Sequence, residues 1–151
     1  MYFHSKSRLN RDQLLEMIIE AVNQTRIKAR EHKTNPLCVG IAAKGFIDFK
    51  NGMVIGPDQD VAGWTDVPLA KIVSGATSLP CYVDNDANLM AIAEYNFGVA
   101  AGYNNIIYVA LRSGIGGAII IDGKLYRGNN NAGGEIGQMS IDLFGPIARS
   151  G

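Results

Sequence analysis

The chain has 151 residues, 47% of them apolar and 19% charged, the make-up of one ordinary folded domain rather than a disordered segment. Lys+Arg and Asp+Glu each number 14, so the net charge is zero and the basic stripe of a general nucleic-acid binder is excluded; Lys6, Arg8 and Arg11 are too sparse to supply one. No stretch approaches the roughly 18 consecutive apolar residues of a membrane helix, and the first residues lack a signal-peptide core, so a cytoplasmic chain with no membrane partner is expected. Asn10, with Gln13 three residues on, has capping-box spacing. Leu14, Met17 or Ile18, Ala21 or Val22, and Thr25 then recur at helical spacing. A helix is therefore predicted that fades near residues 30–33, where Thr34-Asn35-Pro36 breaks the chain. Residues 37–43 are apolar almost throughout and read as a buried, parallel-type strand. Cys38 and Cys81 each lie in such a run, and they are expected to pack as small buried hydrophobes in a reducing compartment.

Residues 46–49 and 53–55 flank Asn51-Gly52, a pair that favours a tight hairpin. Residues 56–63 read as loop, with Trp64 able to anchor it on the core. Pro68 suits the first turn of a helix, whose apolar face is Leu69, Ile72 and Val73 and which Ser74-Gly75 weakens. A strand at residues 81–83 follows, then a helix from about Ala87 to Phe97, stopped by Gly98. Residues 99–105 are a connector. Residues 106–111 are a strong strand, residues 112–117 a glycine-rich turn and residues 118–121 another strand. Asp122-Gly123 is a second hairpin signal, answered by Lys124-Leu125-Tyr126. Residues 128–137 are loop, and residues 140–144 read as a short strand.

Three motifs carry chemistry. Asp84-Asn85-Asp86 falls where a strand ends and a helix starts. Ligands bind outside the carboxyl ends of strands in open α/β sheets, and Asn and Asp also favour helix caps, so ligand contact and simple capping both stay open. A carboxylate here can accept a proton from a bound hydroxyl, and a neighbouring Asn can hold another hydroxyl. Ser113-Gly114-Ile115-Gly116-Gly117 lies between two strands. Its backbone N–H groups can cradle a phosphate, or its glycines simply permit a turn. It is neither a Walker A loop nor a dinucleotide fingerprint. Ala132-Gly133-Gly134-Glu135-Ile136-Gly137-Gln138 places a carboxylate in a flexible loop that can bring Glu135 and Gln138 onto sugar hydroxyls. An exposed surface turn is the alternative.

In this order and spacing the three motifs resemble the ROK family (repressors, open reading frames and sugar kinases). Gly63-Trp64-Thr65-Asp66-Val67-Pro68-Leu69, Ala93-Glu94-Tyr95-Asn96-Phe97-Gly98 and Ile120-Ile121-Asp122-Gly123-Lys124-Leu125 add to the likeness, which covers most of the chain. The resemblance implies an α/β protein of the actin-like ATPase (ribonuclease-H-like) fold, two-lobed, with a sugar in its cleft. By that likeness Asp86 matches the kinases' catalytic base on the sugar hydroxyl. Asn85, Asp86 and Glu135 match sugar-binding residues, and Gln138 and Gly45 are placed in the same site. Ser113, Gly114, Gly116 and Gly117 match the hairpin that faces ATP phosphates. Phosphoryl transfer is mostly positioning and charge stabilisation, with one group taking the hydroxyl proton, and these residue types suit it.

The sequence departs from the kinases at several points. Their early Asp-x-Gly-x-Thr phosphate loop is missing. Gln138 stands where many members have His, Arg112-Ser113 where kinases have Gly-Thr, and Lys44-Gly45 where they have Pro-Gly. The expectation is thus a truncated middle portion, with a partial first lobe at residues 1–103 and an incomplete second lobe at residues 104–151. Its function is expected to be that of a sugar-binding, effector-sensing domain of a transcriptional regulator, not itself competent in phosphoryl transfer. One alternative is a fragment of an ATP-dependent sugar kinase, which would use ATP and Mg. Another is a non-catalytic fragment that associates through exposed strand edges. A monosaccharide is the expected ligand, a homodimer is allowed, and DNA would be reached only through a helix-turn-helix absent here. This chain itself is expected to hold no cofactor. No metal site is expected either, since His4, His32, Cys38 and Cys81 match no four-ligand zinc pattern.

Overall fold

Asn10 starts the first helix through reciprocal bonds. Its side chain accepts the Gln13 N–H at 3.0 Å while Gln13 Oε1 accepts the Asn10 N–H at 3.1 Å, which satisfies two donors that a helix start otherwise leaves unpaired. In the computed structural model, which describes residues 9–56, 60–112, 114–142 and 144–146, this helix, α1, runs Arg11–Glu31. Contacts within the chain group it into two compact units, Met1–Asn85 and Asp86–Gly151. The composition break lies in the connector at residues 99–105; the contact division lies earlier, because the helix before that connector packs on the sheet after it.

In the first unit, β1 (Val39–Ala43) pairs in parallel with β4 (Cys81–Asn85), Val39 opposite Cys81 and Ala43 opposite Asn85. The parallel strand is where the apolar run predicts it, but it starts later and is not buried on both faces. Val39, Ile41 and Ala43 join the core, while Gly40 and Ala42 are exposed. The reason is layering. α1 (through Leu14, Leu15, Ile18 and Val22) and α2 (Leu69–Thr77, through Leu69 and Val73) feed the same core as that one face. Leu37 is left 85% exposed. The expectation of two buried cysteines is corrected in the same way. Cys38 precedes the strand and is exposed, whereas Cys81 is half-buried, its thiol pushed up by burial and by the nearby Cys38.

The hairpin of β2 (Ile47–Asp48) and β3 (Met53–Val54) closes through four residues rather than through Asn51-Gly52 alone. The Asp48 carboxylate organises that turn, accepting the Asn51 side-chain amide at 2.6 Å and the Lys50 N–H at 3.1 Å. Trp64, 5% exposed, anchors the following loop on the core as expected. α2 starts just after Pro68, which holds the N-cap position without a side-chain bond rather than the first helical turn, and runs through Ser74-Gly75 to Thr77. Two side-chain bonds hold its C-terminal turn: Thr77 Oγ1 donates to Val73 O at 2.7 Å, and Arg26 Nη1 on α1 donates to Thr77 O at 2.7 Å.

In the second unit, α3 (Asp86–Phe97) packs on an antiparallel sheet of β5 (Ile106–Leu111), β6 (Ile115–Ile121) and β7 (Lys124–Leu125). Ala91 meets Ala118 and Ile120 in its core, with Tyr95, Ile106, Tyr108 and Leu125 around them. Asp122 and Gly123 form the two-residue turn between β6 and β7, both at positive φ (50° and 73°), as a tight hairpin turn requires. Two expectations are corrected. β6 begins at Ile115, so Gly116 and Gly117 are strand residues opposite Ala110 and Val109. The turn shrinks to residues 112–114, closed by Arg112 N–H on Gly114 O at 2.9 Å, and Ser113 lies outside the described residues. The short strand at residues 140–144 does not form among the described residues, which exclude Leu143. Instead the Asp142 side chain accepts the Phe144 N–H at 2.9 Å, and Ile141 and Phe144 are exposed. No helix among the described residues is long and apolar enough to cross a membrane.

Candidate functional site

β4 delivers Asp84 and Asn85 to its carboxyl end. Asp84 is buried and its Oδ1 accepts the Asn85 N–H at 2.8 Å. The Asn85 side-chain amide donates to Gly45 O at 3.0 Å, and Gly45 sits at φ +95°, a conformation that glycine adopts without the penalty a side chain brings. Two sequence-predicted residues, Asn85 and Gly45, are thereby joined within the first unit.

Asp86 opens α3, with its Oδ1 accepting the Ala87 N–H at 3.0 Å. A helix start favours negative charge at this point. Glu135 reaches the same neighbourhood by a longer route. After β7, Gly133 N–H bonds to Arg127 O at 2.9 Å, and Ile136 N–H to Gly134 O at 2.7 Å. A 3₁₀ turn, Ile136–Gln138, follows. The sequence reads this segment as a flexible arm, but it is pressed onto β6. A Cβ at Gly134 would stand 2.9 Å from Ala118 Cα, and one at Gly137 would collide with Ile115 O. Its glycines therefore serve close backbone packing at least as much as reach. The Glu135 carboxyl is half-buried, and no described residue donates a hydrogen bond to it. Burial pushes its pKa up, and the Asp86 carboxylate nearby adds to the rise. Two residues far apart in sequence thus share one electrostatic environment.

Gln138 is exposed at the end of the 3₁₀ turn, its N–H on Glu135 O at 3.1 Å. Gly114 is exposed in the β5–β6 turn, while Gly116 faces the start of α3, a Cβ there standing 3.2 Å from Ala87 Cβ. Asn88, 5% exposed, is a buried polar side chain that the motif reading does not assign. The available signal is its spacing of three from Ala91 on the buried helix face.

In the second unit, the Asp86 and Glu135 carboxylates can accept the hydrogen bonds of a polyhydroxylated ligand, and charged acceptors make the stronger ones. The sequence profile of the ROK family matches residues 3–151. The chain belongs to the ROK family. Its mixed α/β architecture accords with the actin-like ATPase fold of ROK proteins. The xylose repressor of Bacillus spizizenii is 34% identical over 136 residues, covering 90% of this chain and 35% of the repressor. The structure of a ROK hexokinase from Thermus thermophilus matches at 31% identity and a TM-score of 0.72, covering 90% of this chain and 45% of the hexokinase. A ROK glucokinase from Streptomyces griseus, solved with glucose and AMPPNP, matches at 35% identity and a TM-score of 0.72, covering 84% of this chain and 40% of the glucokinase. The relatives thus include both repressors and sugar kinases, and the chain spans about a third of the length of the repressor it matches.

Proposed function

We propose that this chain is the monosaccharide-sensing part of a ROK-family transcriptional regulator. Asp86 and Glu135 accept hydroxyl hydrogen bonds from the sugar, and Asn85, joined to Asp86 by one peptide bond, adds an amide. The observation that carries the reading is that α3, which Asp86 opens, and the loop that bears Glu135 both pack on β6. The xylose repressors among the relatives and the Arg112-Ser113 pair, which replaces the kinases' Gly-Thr, favour a regulator. The kinase reading is second. It rests on Asp86, which at the start of α3 can take a proton from a hydroxyl, and on the glucokinase likeness; ATP and Mg would then belong to the whole protein's reaction. The expected glycine cradle for ATP fits poorly, since Gly116 and Gly117 are strand residues.

Titration calorimetry with xylose, glucose and an N-acetylhexosamine on wild type, Asp86→Ala and Glu135→Ala tests the site. Each truncation should weaken binding by about 1–3 kcal/mol, the range for a hydrogen bond to a charged group. Unchanged affinity in both variants, for a sugar that the wild type binds, would rule out these residues.

A further inference from the structure

We propose that Gly117 is a positioning residue: its missing side chain lets the loop at residues 133–137 seat Glu135 beside Asp86, on the reading that these carboxylates hold the sugar. The sequence places Gly117 with the phosphate-facing glycines, but its surroundings point elsewhere. Gly117 is buried in β6, opposite Val109. A Cβ there would stand 2.6 Å from Gly134 O and 2.6 Å from Ile136 Cγ1. The Ile136 side chain can rotate away. The Gly134 carbonyl cannot do so alone, because it accepts the Ile136 N–H at 2.7 Å in the turn that carries Glu135. The approach is close from the loop side too, where a Cβ at Gly134 would stand 3.0 Å from Gly117 O. Strand and loop thus meet backbone to backbone, glycine against glycine, one residue before Glu135. Gly116 makes a separate contact, with the start of α3, so the adjacent glycines serve different partners.

Interiors transmit such displacements because they are close-packed. Gly117→Ala would push the Gly134 carbonyl outward and carry Glu135 with it. The carboxyl would then be less buried and farther from Asp86, the charged group that faces it from α3. The measurement is a carbon-13 NMR titration of the Glu135 carboxyl in the full chain without sugar. In wild type Glu135 should titrate above the ordinary glutamate value. In Gly117→Ala it should fall towards that value, and affinity for a sugar that wild type binds should drop about tenfold or more. If Gly117→Ala does not fold, Ile136→Ala, which trims the packing on Gly117 without a new clash, should lower the Glu135 titration in the same direction. A Glu135 titration that stays put in a folded Gly117→Ala, or in Ile136→Ala where the first does not fold, overturns the positioning role whatever the sugar does. A wild type that binds no sugar, with Glu135 still moved by the substitution, instead counts against the sugar reading alone.

Discussion

Burial holds the proton of Glu135 more tightly in the folded chain than in the unfolded one, and the Asp86 carboxylate tightens it further. For an acid whose folded pKa is raised, the favourable contribution is complete below the ordinary glutamate value and is lost as pH rises through the raised one. Ionised Glu135 is therefore a destabilising group at neutral pH. It is only half-buried, and water screens the penalty. Glu135→Gln should melt at a higher temperature than wild type at about pH 7, with the gain gone below about pH 4, where the native carboxyl is protonated as well. Sugar binding should run the other way. A carboxylate accepts a hydroxyl better than a neutral amide does, so wild-type affinity should fall as pH drops towards the raised pKa, while Glu135→Gln binds weakly with no such dependence. Thermal melts and calorimetric titrations across this pH range check both arms. A Glu135→Gln variant that melts below wild type at neutral pH would mean that the carboxylate has a stabilising partner.

At the scale of elements, Arg26 ties α1 to the C-terminal end of α2. Its guanidinium donates to the Thr77 carbonyl, one of the acceptors that a helix end leaves without an intrahelical donor, and a cation there complements the helix dipole. Arg26→Met keeps an apolar stem but removes the donor, and it should lower stability by roughly 1–3 kcal/mol in urea unfolding; a loss too small to measure would show that solvent replaces the bond. Elements marked by local chemistry were legible in the sequence. Asn10 with Gln13 and Asp122-Gly123 each fix a boundary with a few residues, and the structure keeps both, whereas β4 runs past the polar stop expected at Asp84 and ends at Asn85. Contacts distant in sequence were not. Gly116 and Gly117 read as turn because glycine is a turn residue, yet they are strand because Ala87 and the 134–136 backbone need room there. Cys38 reads as buried because its neighbours are apolar, but helices cover only one face of β1. Of the candidate site, the residue types were readable. The pairing of Asp86 with Glu135 depends on how the loop at residues 133–137 is pinned to β6, and no local pattern encodes that.

For the chain as a whole, the proposed sugar site is read as serving sensing rather than phosphoryl transfer. A phosphate cradle needs several backbone N–H groups turned to one point. Of the three expected glycines, only Gly114 lies in the β5–β6 turn. Gly116 and Gly117 are paired along β6, and Arg112 brings a side chain where the kinase pattern has Gly. Weak binding of Mg–ATP follows, and it should not depend on sugar. A coupled ADP-release assay over xylose, glucose and N-acetylhexosamines should therefore show no sugar-dependent turnover by this chain. Calorimetry with a sugar that binds should give the same affinity with and without Mg–ATP, because a sensing site does not draw on the nucleotide. Sugar-dependent ADP release that disappears in Asp86→Asn would instead assign Asp86 the role of base, since the amide preserves the shape of the side chain but cannot take the hydroxyl proton. That outcome would put the kinase reading in place of the regulator.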